Sequence, residues 1–482
     1  MPTRGEYMHV IATPESNLAA EVVNHHLRLM GWPATQDAPL VVGQASGEDA
    51  LAARAAIASG HCVIALKPEA SFCAHFELST RNARAIPPAL MFAPRERSAR
   101  GLERILGVLA RRPRRTAKPR LRTLAEAQCF HAESGGPVLV DMHGDPVWWW
   151  LPKDVSGILL IGTDLAFDLV RYRQGDPGEV NRNNQRELWG FTGERPNYLF
   201  EPQREGEPTH ARHADEWAWF LTQFLSEQTG TVLDHILPGD APGAIVLTGD
   251  DDQANLDCYR EQLELLGDMP ITYLLHPQTK HTRDTLRTLL GKPSIDLGIH
   301  PDALDDPARY DERFAEQAVW YRTLVGSSPR YVRNHGYLNR AYWGHLKAWR
   351  AYGVELSSNI PGLDGTVLNG SLLPARVAAD GELTEHWSIL TAIGDGLVFV
   401  NEWSDTRAGE CVREAAARIR ASGIPGALVL NLHPENVGRT RAMHEAAIEL
   451  VRDGFVAWRM SDCLNWFKAR DTCASPLEGC HV

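Results

Sequence analysis

The pattern that most restricts the fold is a repeat of short apolar runs and helical segments after Ala241. Each run is bounded by turn-forming or charged residues, and a segment with helical periodicity follows it. This alternation is typical of parallel strands joined by helices, and so many runs in one stretch fit a closed or nearly closed β/α barrel better than an open sheet. The runs are AIVLTGDDD, ITYLLHP, IDLGIHP, YVRNHG, VELSSN, LVFVNEW, ALVLNLHP and FVAWRM.

The beginning of the chain predicts a second α/β layer. Apolar runs (YMHVIAT, PLVVG, CVIALKP) alternate there with amphipathic segments at 18–30 and 48–59, which favours an open, parallel sheet. The later runs GPVLVDMHGDPVWWWLP and GILLIGTDL are expected to complete this sheet, with the three tryptophans packed in its core and a sugar-stacking surface as the alternative. The predicted class is α/β: an open-sheet domain (flavodoxin-like or amidotransferase-like) over 1–165, a connecting segment or lid with a helix over 166–240, and a distorted β/α barrel over 241–482.

Composition excludes several classes of protein. The 482 residues carry a formal net charge of −12, which argues against a general nucleic-acid binder because phosphate binding needs a positive surface. The basic segment from Arg111 to Arg122 is the local exception; it is interpreted as a solvated connection, with polyanion binding as the alternative. No apolar run is long enough for a signal peptide or a membrane span, so a cytoplasmic protein is expected. Eight scattered cysteines without a CxxC pair indicate reduced thiols.

Three adjacent carboxylates end the first barrel run and require compensation. Asp250, Asp251 and Asp252 repel one another. In a β/α barrel the carboxyl ends of all strands meet at one mouth. Imidazoles end other runs, and a divalent cation bound by imidazole and carboxylate would offset the repulsion. The other polar residues at predicted strand ends are His276, His300, Arg333, His335, Asn359 and His433.

Simpler structural roles are also consistent with these residues. A histidine before proline, such as His276, can cap a strand or bond to a loop carbonyl. The aspartates could act as an N-cap for the helical segment that follows, because helix N-termini favour acidic groups. Cys62 lies inside a strand-like run without the sharp turn that exposes a nucleophile, so catalysis by this thiol is disfavoured.

The ordered motifs TGDDD, GIHPD, RNHG and LNLHP resemble those of the NodB-type polysaccharide deacetylases, which are metal-dependent carbohydrate esterases on a distorted β/α barrel. The resemblance extends from about Ala241 to the C-terminus. More narrowly, the motif forms resemble the WbmS-like branch, which is associated with bacterial surface-polysaccharide loci. The first 240 residues lie outside the resemblance.

The resemblance implies a role for individual residues. It makes Asp250 the general base, Asp251 a metal ligand, Arg333 the residue that orients the base, and His433 the general acid. His300 matches the first histidine of the second motif, but Leu304 stands where that motif has its second histidine. We infer that His335 supplies the lost imidazole from the neighbouring strand end. The family's Asp-Trp motif, which tunes the acid, has no assigned counterpart.

The implied cofactor is a divalent metal. Two imidazoles and a carboxylate suit Zn²⁺, while Co²⁺, Ni²⁺ or Fe²⁺ would bind the same set. The implied partner is a carbohydrate, and a homo-oligomer contact through the first domain is an open possibility. Candidate substrate-binding residues at the mouth are Asp252, His276, Asp302, Asn359 and Trp403.

The implied reaction is metal-assisted hydrolysis of an N-acetyl or O-acetyl group on a sugar. Three alternatives stay open. An Asp-x-Asp phosphotransferase or phosphatase would use oxygen ligands and leave the histidines unexplained. A glycan-binding protein could have kept the barrel and lost the chemistry, given Leu304. An amidase for another substrate would use the same barrel.

Overall fold

The computed structural model describes most of the chain. The described residues are 14–33, 39–43, 45–82, 91–92, 121–124, 127–141, 143–153, 156–179, 186–188, 191–193, 195–201, 207–252, 255–362 and 364–471. The first apolar run, YMHVIAT, lies outside them, as does the basic segment up to 120. Among these residues no helix has the length and apolar character needed to cross a bilayer.

The first half of the chain builds a six-stranded mixed sheet in the order β1-β2-β8-β7-β6-β4. The expected parallel pairing holds for β1, β2 and β8, whereas β7, β6 and β4 pair antiparallel. Five residues separate β6 from β7 and two separate β7 from β8, and connections this short can join only antiparallel strands. The strands are β1 (Leu40–Gly43), β2 (Cys62–Leu66), β3 (Ser79–Asn82), β4 (Met91–Phe92), β5 (Gln128–His131), β6 (Gly136–Val140), β7 (Pro146–Lys153) and β8 (Ser156–Ile161); β3 pairs with β5.

Helices and one small hairpin accompany this sheet and lead to the barrel. The hairpin pairs β9 (Arg186–Leu188) with β10 (Phe191–Gly193), and a 3-10 turn follows at Pro196–Phe200. The helices are α1 (Pro14–Leu29), α2 (Asp49–Ala58), α3 (Ala70–Ala74), α4 (Leu165–Gln174) and α5 (His213–Thr229).

The second half closes a barrel of seven parallel strands, in the order β11-β12-β13-β14-β15-β17-β18 and back to β11. The strands are β11 (Ala244–Asp251), β12 (Ile271–Leu275), β13 (Ile295–Ile299), β14 (Tyr331–Val332), β15 (Leu356–Pro361), β16 (Ala375–Ala379), β17 (Glu382–Gly394), β18 (Ala427–Asn431) and β19 (Val456–Trp458). The helices are α6 (Leu256–Leu266), α7 (Arg283–Leu290), α8 (Tyr310–Val325), α9 (Leu346–Ala351), α10 (Leu397–Val400), α11 (Asp405–Ser422), α12 (Arg441–Arg452) and α13 (Met460–Asp471). The predicted β/α barrel is confirmed.

Two of the predicted barrel strands need correction. The run LVFVNEW is not a strand, because Leu397–Val400 forms the short helix α10. Its place in the ring is taken by β17, which polar residues interrupt and which also pairs antiparallel with β16. The run FVAWRM does contain a strand, β19, but that strand pairs with the start of β11 outside the closed ring.

One apolar core joins the two halves. Trp148 of β7 stacks on Trp217 of α5 with ring centroids 5.3 Å apart. The same cluster includes Ala244 and Leu356, the first residues of barrel strands β11 and β15. The first sheet and its helices therefore cover the amino-terminal ends of barrel strands, at the opposite end from the mouth. The expected core packing of Trp148, Trp149 and Trp150 agrees with their burial.

The described cysteines are free thiols. Cys62, Cys73, Cys129, Cys258, Cys411 and Cys463 are free thiols, and Cys473 and Cys480 lie outside the described residues. Burial raises the pKa of the Cys62 thiol to about 12, which agrees with the disfavoured nucleophile role.

In the connecting segment, the Arg195 side chain donates to the carbonyl of Gly336, 2.8 Å away, so this segment reaches the barrel mouth.

A buried carboxylate fastens α1 to the barrel. Asp471, the last residue of α13, accepts a 2.9 Å hydrogen bond from His25 Nδ1 and lies 3.2 Å from an Arg376 nitrogen of β16. Burial alone would raise the pKa of Asp471, but His25, Arg376 and Arg28 outweigh it and hold the pKa below its usual value.

We expect Asp471→Asn to lower the free energy of unfolding at pH 7 by about 1.5–3 kcal/mol, because a neutral amide loses the charged interactions with Arg28 and Arg376. A carboxylate with a depressed pKa stabilises the fold above its unfolded pKa of about 3.9 and stops doing so as pH falls. Wild-type stability should therefore drop between about pH 5 and pH 3 more steeply than that of the variant. Urea unfolding across this range measures both effects, with the exposed Asp268→Asn as control. Equal slopes for Asp471→Asn and wild type would contradict this role.

Candidate metal and acid–base site

The polar residues predicted to meet do lie at the carboxyl ends of the barrel strands. Asp250 is at the end of β11, and His276, His300 and Arg333 each follow directly on β12, β13 and β14. Asp395 follows β17, and His433 comes two residues after β18. Parallel pairing brings all these ends to one mouth.

The three aspartates are not a helix cap. Helix α6 begins at Leu256, and its N-cap is Asn255, whose side-chain oxygen accepts hydrogen bonds from the backbone N–H groups of Asp257 and Cys258. The cap is thus complete without Asp250, Asp251 or Asp252. Their clustering needs another explanation.

Asp250 is compensated by a guanidinium that is fully buried. Arg333 NH1 donates to Asp250 Oδ1 at 2.8 Å, and the other Arg333 nitrogens donate to Thr248 and to the carbonyl of Ser358. Asn431 Nδ2 donates to the second oxygen of Asp250 at 2.8 Å. Burial would raise the pKa of Asp250, but Arg333, His300 and His433 outweigh it and lower the pKa. Asp250 is therefore an ionised carboxylate in a fixed orientation.

Strand alternation separates the neighbouring aspartates. Successive side chains of a strand point to opposite faces, so Thr248, Asp250 and Asp252 share one face and Asp251 has the other. Asp251 is completely buried, and the nearby hydroxyls of Thr279 and Tyr259 favour its ionised form. Burial raises the pKa of Asp251 to about 6. Asp252, 32% exposed, instead faces the imidazoles of the mouth.

Asp252, His300 and His335 form a group that could hold a cation. His300 Nε2 lies 3.2 Å and His335 Nε2 3.9 Å from Asp252 Oδ1. His300 Nδ1 is 2.7 Å from the carbonyl oxygen of Arg333, so Nδ1 carries a proton and donates. In the neutral ring a lone pair on Nε2 then faces a carboxylate oxygen, and a proton or a cation must lie between them. The donor atoms of this group suit a divalent metal. The structure brings His300 and His335 together, and the carboxylate beside them is that of Asp252 and not of Asp251.

A second group overlaps the first. His276, Asp302 and His335 also lie close enough to hold an ion. Asp302 Oδ1 is 3.2 Å from His335 Nδ1, and Asp302 Oδ2 is 3.5 Å from His276 Nε2. The pKa of Asp302 is lowered because these imidazoles outweigh its burial. The two groups share His335 through different ring nitrogens.

His433 carries a carboxylate partner that the sequence analysis missed. Its Nδ1 donates to Asp395 Oδ1 at 2.6 Å, and its backbone N–H donates to the other oxygen of Asp395. Its Nε2 faces the mouth, 3.5 Å from Asp252 and 3.9 Å from Asp250. Burial lowers the pKa of His433, but Asp395 and Asp252 outweigh it and raise the pKa well above its usual value. Asp395 becomes visible in the sequence only once β17 is placed, whereas Asn431 ends the predicted run of β18 and carries no charge to mark it.

The structure also describes three further residues that the sequence analysis singled out. Asn359 accepts from the backbone N–H of Asn334 and donates to the carbonyl of Leu338, so it supports the loop after β14. Trp403 lies under the Arg407 guanidinium, whose carbon is 5.1 Å from the ring centroid of Trp403. Leu304, partly buried, lies beside Gly336.

No family model and no curated protein matches the chain. Solved structures match about half of it. A protein designated a polysaccharide deacetylase from Mycobacterium smegmatis is 17% identical at a TM-score of 0.38, and the match covers 51% of this chain and 97% of that one. Another from Pseudomonas aeruginosa PAO1 is 14% identical at 0.40, covering 52% and 99%. One designated as involved in O-antigen biosynthesis in Bordetella bronchiseptica is 18% identical at 0.30, covering 45% and 86%.

The polysaccharide deacetylases that the motifs resemble thus recur among the matching structures. At these identities and TM-scores, the likeness does not define a function.

We expect Arg333→Met to lower the free energy of unfolding of the metal-free protein by about 3–5 kcal/mol, because Asp250 would stay buried without its counter-charge. The double variant Arg333→Met/Asp250→Asn should recover part of this loss, since a neutral amide needs no counter-ion. Urea unfolding of the two single variants and the double variant measures the coupling. Strictly additive losses would show that the pair is not coupled.

Proposed function

We propose that the protein is a metal-dependent hydrolase that removes an N-acetyl or O-acetyl group from a carbohydrate in bacterial surface-polysaccharide metabolism. The observation that carries the proposal is that a cation-binding group and two acid–base pairs lie side by side at one mouth. Asp252, His300 and His335 form a cation-binding group, and the Asp250–Arg333 and His433–Asp395 pairs lie directly beside it.

The residues proposed to hold the metal are Asp252, His300 and His335, and Zn²⁺ suits this mixed oxygen and nitrogen set. Asp252 replaces Asp251 in this role because Asp251 faces away from the imidazoles. A bound divalent cation would polarise the acyl carbonyl and lower the pKa of a water molecule.

Asp250 is proposed as the general base. Arg333 and Asn431 occupy one oxygen each and fix the carboxylate plane. The lowered pKa keeps Asp250 ionised at neutral pH, so it can accept a proton from the attacking water. Arg333 acts through Asp250 and has no direct route to the substrate, because it is fully buried.

His433 is proposed as the general acid. Asp395 accepts its Nδ1 proton, which leaves Nε2 as the nitrogen that faces the mouth. The raised pKa keeps the ring protonated near neutral pH, so Nε2–H can protonate the departing nitrogen or oxygen. Positioned acid and base groups each contribute roughly 10²–10⁴-fold to the rate.

The substrate class comes from the motif resemblance. The side chains of His335 and His433 are 20% and 16% exposed, so a ligand can reach the mouth from solvent. Trp403 stays a proposed sugar contact on the rim, and Asn359 is proposed to act through the loop it supports.

The alternatives predict different behaviour. A phosphotransferase with Mg²⁺ would place oxygen ligands around the cation, whereas imidazoles surround Asp252. An inactive glycan-binding protein would bind metal and sugar and release no acetate. Both are distinguished by the measurements below.

We expect the zinc-loaded protein to release acetate from at least one member of a panel of N-acetylated and O-acetylated sugars. Asp250→Asn should keep the metal and reduce kcat/KM by at least ~10²-fold, because the general base is lost. Acetate release and metal analysis on the same samples test this. Glycan binding without acetate release by the metal-loaded wild type would favour the inactive homologue, and phosphate-ester turnover would favour the phosphotransferase.

We expect Asp252→Asn to lose most of the bound metal, whereas the neighbouring Asp251→Asn should retain it. The two substitutions are chemically identical, so the comparison isolates which face of β11 holds the cation. Metal content after dialysis, measured by elemental analysis, decides between them. Loss of metal only in Asp251→Asn would restore Asp251 as the ligand.

A further inference from the structure

The carboxylate of Asp302 lies between two imidazoles at the edge of the proposed metal site. One oxygen is 3.2 Å from His335 Nδ1, and the other is 3.5 Å from His276 Nε2. The three residues could themselves hold a second ion, or Asp302 could position a ligand of the first. The proton positions on the two rings distinguish these roles.

His276 presents a donor to Asp302. The backbone N–H of Gln278 donates to His276 Nδ1 at 3.2 Å, so Nδ1 carries the lone pair of the neutral ring. The ring proton is therefore on Nε2, the nitrogen that faces Asp302. A metal ligand would need a lone pair at this atom. His276 thus acts as a partner of the carboxylate and not as a ligand.

Asp302 is held in place by the surrounding backbone. The Gln317 side chain of α8 accepts from the Asp302 N–H at 2.8 Å and donates to the Asp302 carbonyl at 2.6 Å. The backbone N–H of Leu304 donates to Asp302 Oδ1 at 3.1 Å. The loop that contains Leu304 in place of the second motif histidine therefore fixes the Asp302 carboxylate next to His335.

Both proposed imidazole ligands have an oxygen atom near Nδ1, at 2.7 Å in His300 and 3.2 Å in His335. His300 donates its Nδ1 proton to the carbonyl of Arg333, and His335 has Nδ1 next to Asp302. Each then directs Nε2 toward Asp252. Metal-ligating histidines commonly donate their other N–H to a carbonyl or carboxylate, and loss of that partner costs about 10–100-fold in metal affinity.

We propose that Asp302 is a positioning residue that holds the Nδ1 proton of His335, and so makes His335 the second imidazole ligand in place of the one absent at Leu304. His276 orients Asp302 from its other side. This inference depends on the proposed cation site at Asp252, His300 and His335. It also replaces the expectation that Asp302 and His276 bind sugar hydroxyls.

The first test is cobalt affinity, measured by competition with a chelator on the full-length protein. Asp302→Ala should weaken Co²⁺ binding by about 10–100-fold. Asp302→Asn keeps an acceptor oxygen and should restore part of the affinity. Asp305→Ala removes an exposed carboxylate of the same loop that pairs with Arg313, and should leave affinity unchanged. Unchanged affinity in Asp302→Ala would overturn the proposal.

The second test is the proton spectrum of the cobalt-loaded protein, in which ring N–H groups of ligating histidines give shifted, exchangeable signals. Wild type should show two such signals, from His300 and His335, at one cobalt per chain. Asp302→Ala should lose the His335 signal to solvent exchange and keep that of His300, while His276→Ala should keep both.

Other outcomes distinguish a failure of this inference from a failure of the proposed function. Two cobalt ions per chain, with one lost in His276→Ala, would overturn the positioning role and assign the second group as a metal site. A wild type that binds no cobalt or zinc would overturn both this inference and the proposed function. Cobalt binding with an unaffected Asp302→Ala variant would overturn this inference alone.

Discussion

The buried pair of Asp250 and Arg333 is the interaction on which the mouth depends. The Arg333 guanidinium contacts Asp250 and Thr248 of β11, Ser358 of β15 and Thr391 of β17. One side chain after β14 therefore links three other strands of the barrel. Such a pair is costly to desolvate, and its net contribution to stability can be small. Its effect here is geometric, because it fixes the direction of one carboxylate within a cluster that would otherwise repel itself.

Much of the fold follows from apolar periodicity, and its failures have physical causes. Buried parallel strands such as β11 and β18 appear as continuous apolar runs, so their positions were predictable. Strand β17 carries His386, Ser388 and Thr391 and pairs with strands of both directions, which disrupts that signal. The apolar segment of α10 is a single helical turn, and composition alone does not distinguish it from a strand.

The site was predictable where a residue ends a recognisable strand. Strand ends predict that five residues meet, and the structure does place them at one mouth: Asp250, His300, Arg333, His335 and His433. The choice between Asp251 and Asp252 depended on motif alignment, although the two-residue period of a strand already puts Asp252 on the face of Asp250. Asp395 was not predictable because the sequence pattern does not reveal β17, the strand that it follows. Ring proton positions, which decide what each histidine can do, depend on backbone neighbours far away in sequence.

The shared core beneath the barrel has a consequence for motion. The first residues of β11, β15 and β18 are packed among α1, α5 and β7, so the base of the barrel and the first sheet must open together in a single cooperative event. Loops at the mouth contain 3-10 turns, at His335–Tyr337 and Pro434–Arg439, and these turns lie outside that core. Backbone amides at the base would then exchange with solvent only through global unfolding, whereas those around His335 and His433 would exchange through local fluctuations. The base of the barrel is thus expected to be rigid and the mouth more flexible.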